Sequence, residues 1–193
     1  MARPREFDMQ KALNNALELF WEKGYEATSI TDLTTRMEIS RPSLYMAFGD
    51  KRALFMKALD IYMDQFLRNL QTILAANGSG YKGIEALFRD IVESVDDSGI
   101  KRGCLFVNTM TELAAHDEQI ALKGREYQDK VSQFLANALT EGKEAGDIAQ
   151  TIDVHSTAHF LMLALVGLYV VIKIEPDPVI LKHSIEVTLG VLR

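Results

Sequence analysis

The stretch SITDLTTRMEISRPSLYMAFGDK, residues 29–51, holds two helix starts and two helix stops. Ser29 can accept a hydrogen bond from the backbone N–H of Asp32, and the Asp32 carboxylate favours the positive end of a helix. Ile30 and Leu33 then face inward on a short helix that ends near Met37. Ser40 caps the next helix. Pro42 fits its first turn, where the missing N–H would have had no helical partner. Leu44, Tyr45 and Phe48 follow before Gly49-Asp50 breaks it, and Asp50 can cap a further helix from Lys51. Two short helices joined by about three residues form a helix-turn-helix when an earlier helix packs behind them.

The flanks supply that earlier helix and much more. Ala12, Leu13, Ala16, Leu17, Phe20 and Trp21 repeat at three- and four-residue spacing, with Gly24 as a C-terminal stop. From Lys51 a long amphipathic helix runs through Leu54, Phe55, Ala58, Leu59, Tyr62, Phe66 and Leu70. Asn77-Gly78-Ser79-Gly80 reads as a loop. Ile84, Leu87, Phe88, Ile91, Val92 and Val95 form another helix, ended by Asp96-Asp97-Ser98-Gly99. A helix begins near Gly103 or Cys104 and carries Leu105, Phe106, Thr109, Met110 and Leu113. A longer one spans about Asp117 to Glu144. After a turn over 147–153, Val154 to Lys173 is strongly apolar, and Pro176-Asp177-Pro178 separates it from a last helix ending at Leu192. The expectation is an all-α chain. Residues 1–50 form a three-helix unit built on the helix-turn-helix, and residues 51–193 form a larger helical part.

With 193 residues, 48% of them hydrophobic, the chain can bury a real core. Its net charge of −6 is unevenly spread. Residues 1–60 hold nine basic and nine acidic residues, and the remainder holds twelve and eighteen. The acidity lies outside the segment expected to touch DNA, which needs only a local basic face. One cysteine excludes an internal disulfide. The start lacks the apolar stretch of a secretion signal, and every 18-residue window contains polar residues. These features favour the cytoplasm and no membrane span.

In a helix-turn-helix the second helix of the pair enters the major groove. Here it turns Arg41, Ser43 and Met46 outward, with Pro42 rigidifying its start. Arg41 can donate to a guanine edge, Ser43 to a base or phosphate, and Met46 can touch a thymine methyl. Thr28, Ser29, Tyr45, Lys51 and Arg52 are candidates for the DNA backbone, Lys51 because it opens a helix.

The run from Gly24 to Leu33 and that from Ile39 to Leu54 resemble the DNA-binding domain of tetracycline-repressor-type (TetR/AcrR) regulators. The resemblance covers about residues 7–60 well, and the rest agrees in length and helix count. It implies that residues 1–50 are the DNA-binding domain and residues 51–193 the effector-binding and dimerisation domain. It implies about nine helices, a homodimer built on the last two helices (154–173 and 179–192), double-stranded operator DNA as partner, and an effector pocket in the C-terminal part. It also implies phosphate contacts by Thr28, Ser29, Tyr45 and Lys51, with Arg41, Pro42, Ser43 and Met46 at the bases. The sequence departs from the pattern at Glu38, where the family often has glycine.

The apolar residues of 154–173 fall on nearly every side of their helix, so a partner or a deep core must cover it. Cys104 follows Lys101-Arg102-Gly103 at an expected helix N-terminus, a setting that stabilises thiolate. The segment Arg102 to Thr109 resembles that of family members that sense electrophiles or oxidants through one cysteine. A buried cysteine acting as a small hydrophobe is the alternative. Asn108 and Glu112, with Phe66, Phe88 and Tyr127, are candidate pocket residues. His155 and His159, four apart, could share a face, and Glu112, His116 and Asp117 are another cluster. Neither makes a complete ligand set, so no metal or cofactor is expected. No phosphate loop, Gly-x-Ser-x-Gly elbow or His-Glu-x-x-His pattern argues for an enzyme. The expectation is a ligand- or electrophile-released repressor. The rival is a helical interaction or scaffold protein without specific DNA binding.

Overall fold

The computed structural model describes residues 7–76, 80–98, 102–174 and 177–193, with only the backbone described for 94–98. Among them are nine α-helices and no strand: α1 Met9–Lys23, α2 Ile30–Met37, α3 Arg41–Phe48, α4 Lys51–Ala76, α5 Tyr81–Ser98, α6 Leu105–Leu113, α7 Glu118–Ala145, α8 Val154–Val171 and α9 Pro178–Gly190. A 3-10 turn, Ile172–Ile174, continues α8. The expected Asn77-Gly78-Ser79 loop, Gly99, Lys101 and Pro176 lie outside the described residues.

The caps form where the local chemistry puts them. Ser29 accepts from Asp32 N–H while the Asp32 carboxylate accepts from Ser29 N–H, a reciprocal capping box. Those bonds to Ser29, with Lys23 beside it, hold the Asp32 carboxyl down to about 2. Ser40 accepts from Ser43 N–H, and Pro42 sits in the first turn of α3. Asp50 accepts from Ala53 N–H at 2.7 Å. Glu38 occupies the turn with φ 58° and ψ 35°, the one non-glycine residue of positive φ among those described. That conformation costs roughly 1–2 kcal/mol. Its N–H bonds to Thr34 and Thr35 carbonyls offset part of the cost, and its carboxylate turns to Lys11 at 3.5 Å.

One continuous core runs through the molecule. Phe20 of α1 meets Phe55 of α4 edge-on at 5.0 Å, with Tyr25 4.8 Å from Phe55. α4 packs on α1 and also joins α5, α6 and α7. The largest helix pairing is α7 against α8. Only one side of α8 is consumed by it: Leu161, Met162, Leu165 and Leu168 are buried, whereas Phe160, Leu163, Val170 and Val171 are exposed. Val154–Ile174 is long and apolar enough to cross a membrane, with a mean hydropathy of 2.0. This corrects the sequence expectation that no segment qualifies. The scattered His and Thr residues interrupt the apolar run without lowering its average below that of a spanning helix.

Candidate DNA-reading surface and effector cavity

Leu44 and Phe48 bury one face of α3 in the core and thereby fix which residues face out. Arg41, Pro42, Tyr45 and Met46 are exposed, Met46 at 76%. The Arg41 guanidinium lies over the Tyr45 ring, 5.8 Å from its centroid, with Nη2 3.4 Å from the Tyr45 hydroxyl. Ser43 is half-buried, its hydroxyl 2.8 Å from that of Ser40. An exposed methionine and tyrosine beside an arginine on one short helix form a surface able to contact both base edges and backbone.

The expected backbone contacts fare unequally. Ser29 is exposed but committed to its capping box. Lys51 stands 4.4 Å over the Tyr25 ring and donates to the Glu26 carbonyl. Thr28 is fully buried, and its hydroxyl donates to the Gly24 carbonyl at 2.6 Å, so its side chain has nothing left for a phosphate. Arg52 turns inward to Asp117 and Gln119. Its guanidinium holds the Asp117 carboxyl below the usual carboxylate range. The pair's contribution is therefore complete above the ordinary carboxylate pKa and is lost only as pH falls through the depressed one.

Arg52–Asp117 lies within residues 51–193, and other bonds tie that part to the first fifty residues. The Glu112 carboxylate of α6 accepts from Tyr25 N–H at 3.0 Å and Glu26 N–H at 2.8 Å. A Cβ at Gly24 would lie 3.0 Å from Glu112 Oε2, and the Gly24 φ of 80° itself favours glycine. Trp21 Nε1 donates to the Gly103 carbonyl at 3.0 Å. Arg102 pairs with Glu18 and Glu22 on α1 and lies against the Trp21 ring.

These ties correct two pocket assignments. Glu112 is a clamp on the α1–α2 loop, and Asn108 binds the Arg102 carbonyl and Lys173 Nζ. Both line an open cleft of about 690 Å3 between α1 and α6, not the C-terminal interior. Phe88 is buried elsewhere in the core. Phe66 and Tyr127 do line an interior cavity, together with Cys104, Phe106, Met162, Leu165 and Tyr169. The cavity is small, about 20 Å3, room for roughly one water. The Tyr127 hydroxyl is buried and, among the described residues, has no hydrogen-bond partner.

Cys104 overturns the thiolate expectation. It is the N-cap of α6, as its position suggests, but it is only 2% exposed. Burial pushes its thiol above the ordinary value, against the smaller lowering by the Tyr62 hydroxyl 3.3 Å away. The Arg102 charge that would have helped is spent on Glu18 and Glu22. N-ethylmaleimide will therefore label native protein on the order of 100-fold more slowly than protein unfolded in guanidinium, because labelling waits on local opening. The native rate will climb with pH through and beyond the ordinary thiol range. Labelling at the unfolded-chain rate would show the thiol to be accessible and this account of it wrong.

The sequence reading missed Trp21 and Arg102 as cross-ties. The available signal was one face of α1 bearing both Glu18 and Glu22, four apart beside the lone tryptophan.

Comparison with known proteins agrees with this arrangement. The profile of bacterial regulatory proteins of the tetR family matches residues 12–58. That of the tetracyclin repressor-like C-terminal domain matches residues 80–188. An uncharacterised HTH-type transcriptional regulator, YezE of Bacillus subtilis (strain 168), is 30% identical over all of both chains. The HTH-type transcriptional repressor ComR of Escherichia coli (strain K12) is 32% identical over 86% of this chain and 80% of its own. Among solved structures, a cysteine mutant of the regulator CifR complexed with a 26bp double-strand operator DNA superposes with a TM-score of 0.86. It is 32% identical over the whole of both chains.

Proposed function

The chain belongs to the TetR family of DNA-binding bacterial transcriptional regulators, and on that premise we propose that it is a homodimeric cytoplasmic repressor released by a compact, mostly apolar effector. The observation that carries the DNA part is α3: its inner face is locked by Leu44 and Phe48 while Arg41, Tyr45 and Met46 stand out together. Residues 1–50 are the reading headpiece and residues 51–193 the effector and dimerisation part. Arg41, Pro42, Ser43 and Met46 meet the bases, and Ser29, Tyr45 and Lys51 meet the backbone. Repression as the direction of control is supported by the likeness to ComR.

The dimer reading rests on the uncovered sides of the last two helices. On α8 and the turn after it, Phe160, Leu163, Gly167, Val170 and Ile174 follow one another at alternating steps of three and four. On α9 and the cap residue after it, Ile180, Ser184, Val187 and Val191 do the same. This is the 3.5-residue seam of helices that pack side by side. A Cβ at Gly167 would meet nothing within 4 Å, which leaves room for a second backbone to come close.

The effector reading rests on the Cys104 cavity. Its wholly apolar walls suit a small aromatic or alkyl molecule. The buried thiol favours a molecule that packs there over one that reacts at once. Because the cavity holds only about one water, entry must part α6 from α7 and α8. α6 carries the Glu112 clamp, so that movement pulls on the α1–α2 loop and shifts the headpiece. The effector then favours the state that does not fit DNA.

The test is operator binding by purified protein on DNA flanking its own gene. Specific binding is expected, falling about a thousandfold or more between ~50 and ~200 mM salt. Failure there and in selection from random duplexes would return the chain to the interaction-protein reading.

A further inference from the structure

His155 and His159 stand four residues apart at the start of α8, both exposed. Their Nε2 atoms approach to 3.2 Å, with the ring planes 88° apart. Among the described residues neither ring has another hydrogen-bond or ion-pair partner. The Asp153 carboxylate, which caps α8 through Ser156 N–H, adds negative charge beside His155. A hydrogen bond between two exposed imidazoles competes with water and contributes little to stability, so the fold has no need of this arrangement.

The convergence has a chemical use. Histidines at i and i+4 on one helix face are a spacing at which helices present paired imidazoles to zinc. A cation about 2.1 Å from each Nε2 would see the two nitrogens about 100° apart, between the octahedral and tetrahedral angles. Neutral imidazole suits Zn2+, Ni2+ and Cu2+ and does not suit Mg2+ or Ca2+. Against the sequence expectation of no metal, and with no third His, Cys, Asp or Glu grouped beside them among the described residues, we propose that His155 and His159 form an open two-nitrogen site for a divalent first-row transition ion, with water completing its coordination. The pair flanks the N-terminal end of the apolar seam on α8. That position would let the bound ion tighten the dimer, a consequence that rests on the dimer reading above, whereas the chelate itself does not.

The experiment is calorimetric titration of the tag-free, chelator-treated full chain with Ni2+, with Mg2+ as control. One Ni2+ site per chain in the micromolar range is expected, and none for Mg2+. His155→Gln and His159→Gln should each weaken binding on the order of 100-fold, as loss of one arm of a chelate does. His183→Gln should leave it unchanged, and circular dichroism should show equal helix content in all variants. No Ni2+ binding by the wild type overturns the site, as does binding that survives the double substitution. Sedimentation with and without Ni2+ tests the dimer consequence separately. An unchanged dimer with intact binding removes the seam placement and keeps the chelate.

Discussion

Phe20→Ala will destabilise the protein by ~3–5 kcal/mol, the range for losing a fully buried phenylalanine. The ring has no exposed surface and fills the junction of α1 and α4, edge-on to Phe55 and 6.3 Å from Tyr25. Its ring partner Phe55 is itself only 2% exposed, so the site has little freedom to collapse without moving a helix. The melting temperature should fall by roughly 10–15 °C for a chain of this size. The loss should appear as one transition, since α4 belongs to both parts of the core. Calorimetry at fixed protein concentration reads both. A loss below about 1 kcal/mol would mean that the α1–α4 junction is not a packed core.

Arg41→Ala is the second large effect, and it falls on binding. The guanidinium is exposed at the first position of α3, parked on Tyr45. Removing a base-reading arginine costs about 1–3 kcal/mol per half-site, or roughly 5- to 150-fold for each, and relaxes preference at one base pair in each half. Lys51→Ala should instead weaken all duplexes alike and lower the salt slope by about one per subunit. Competition with operators changed at single positions separates the two. If Arg41→Ala keeps both affinity and preference, α3 is not the reading helix.

What the sequence made legible was what short-range chemistry decides. Ser29, Ser40, Asp50 and Gly24 act within three or four residues of themselves, and each caps or stops a helix as its neighbours require. The apolar periodicity located every long helix for the same reason. The site residues that changed role were those whose partners are distant in the chain. Glu112 was a plausible pocket acid until Tyr25 and Glu26, more than eighty residues away, claimed it. Arg52 looked free for DNA until Asp117 appeared beside it. Cys104 does occupy a helix N-terminus, as read, but the packing of Phe106, Tyr127 and Tyr169 around it sets its chemistry. No local pattern reports that desolvation. Thr28 shows the same limit at short range, because its buried hydroxyl is taken up by the carbonyl four residues back.

The Glu112 clamp grips backbone amides and ignores side chains. It asks nothing of the residue at 26, and of the residue at 25 only a ring that packs on Phe20 and Phe55. A joint of that kind is blind to the text carried by α2 and α3. Headpieces with different operator preferences could be grafted onto the same body, provided Glu18, Trp21, Glu22 and Gly24 are kept beside the carboxylate at 112, and each graft would inherit the body's choice of signal.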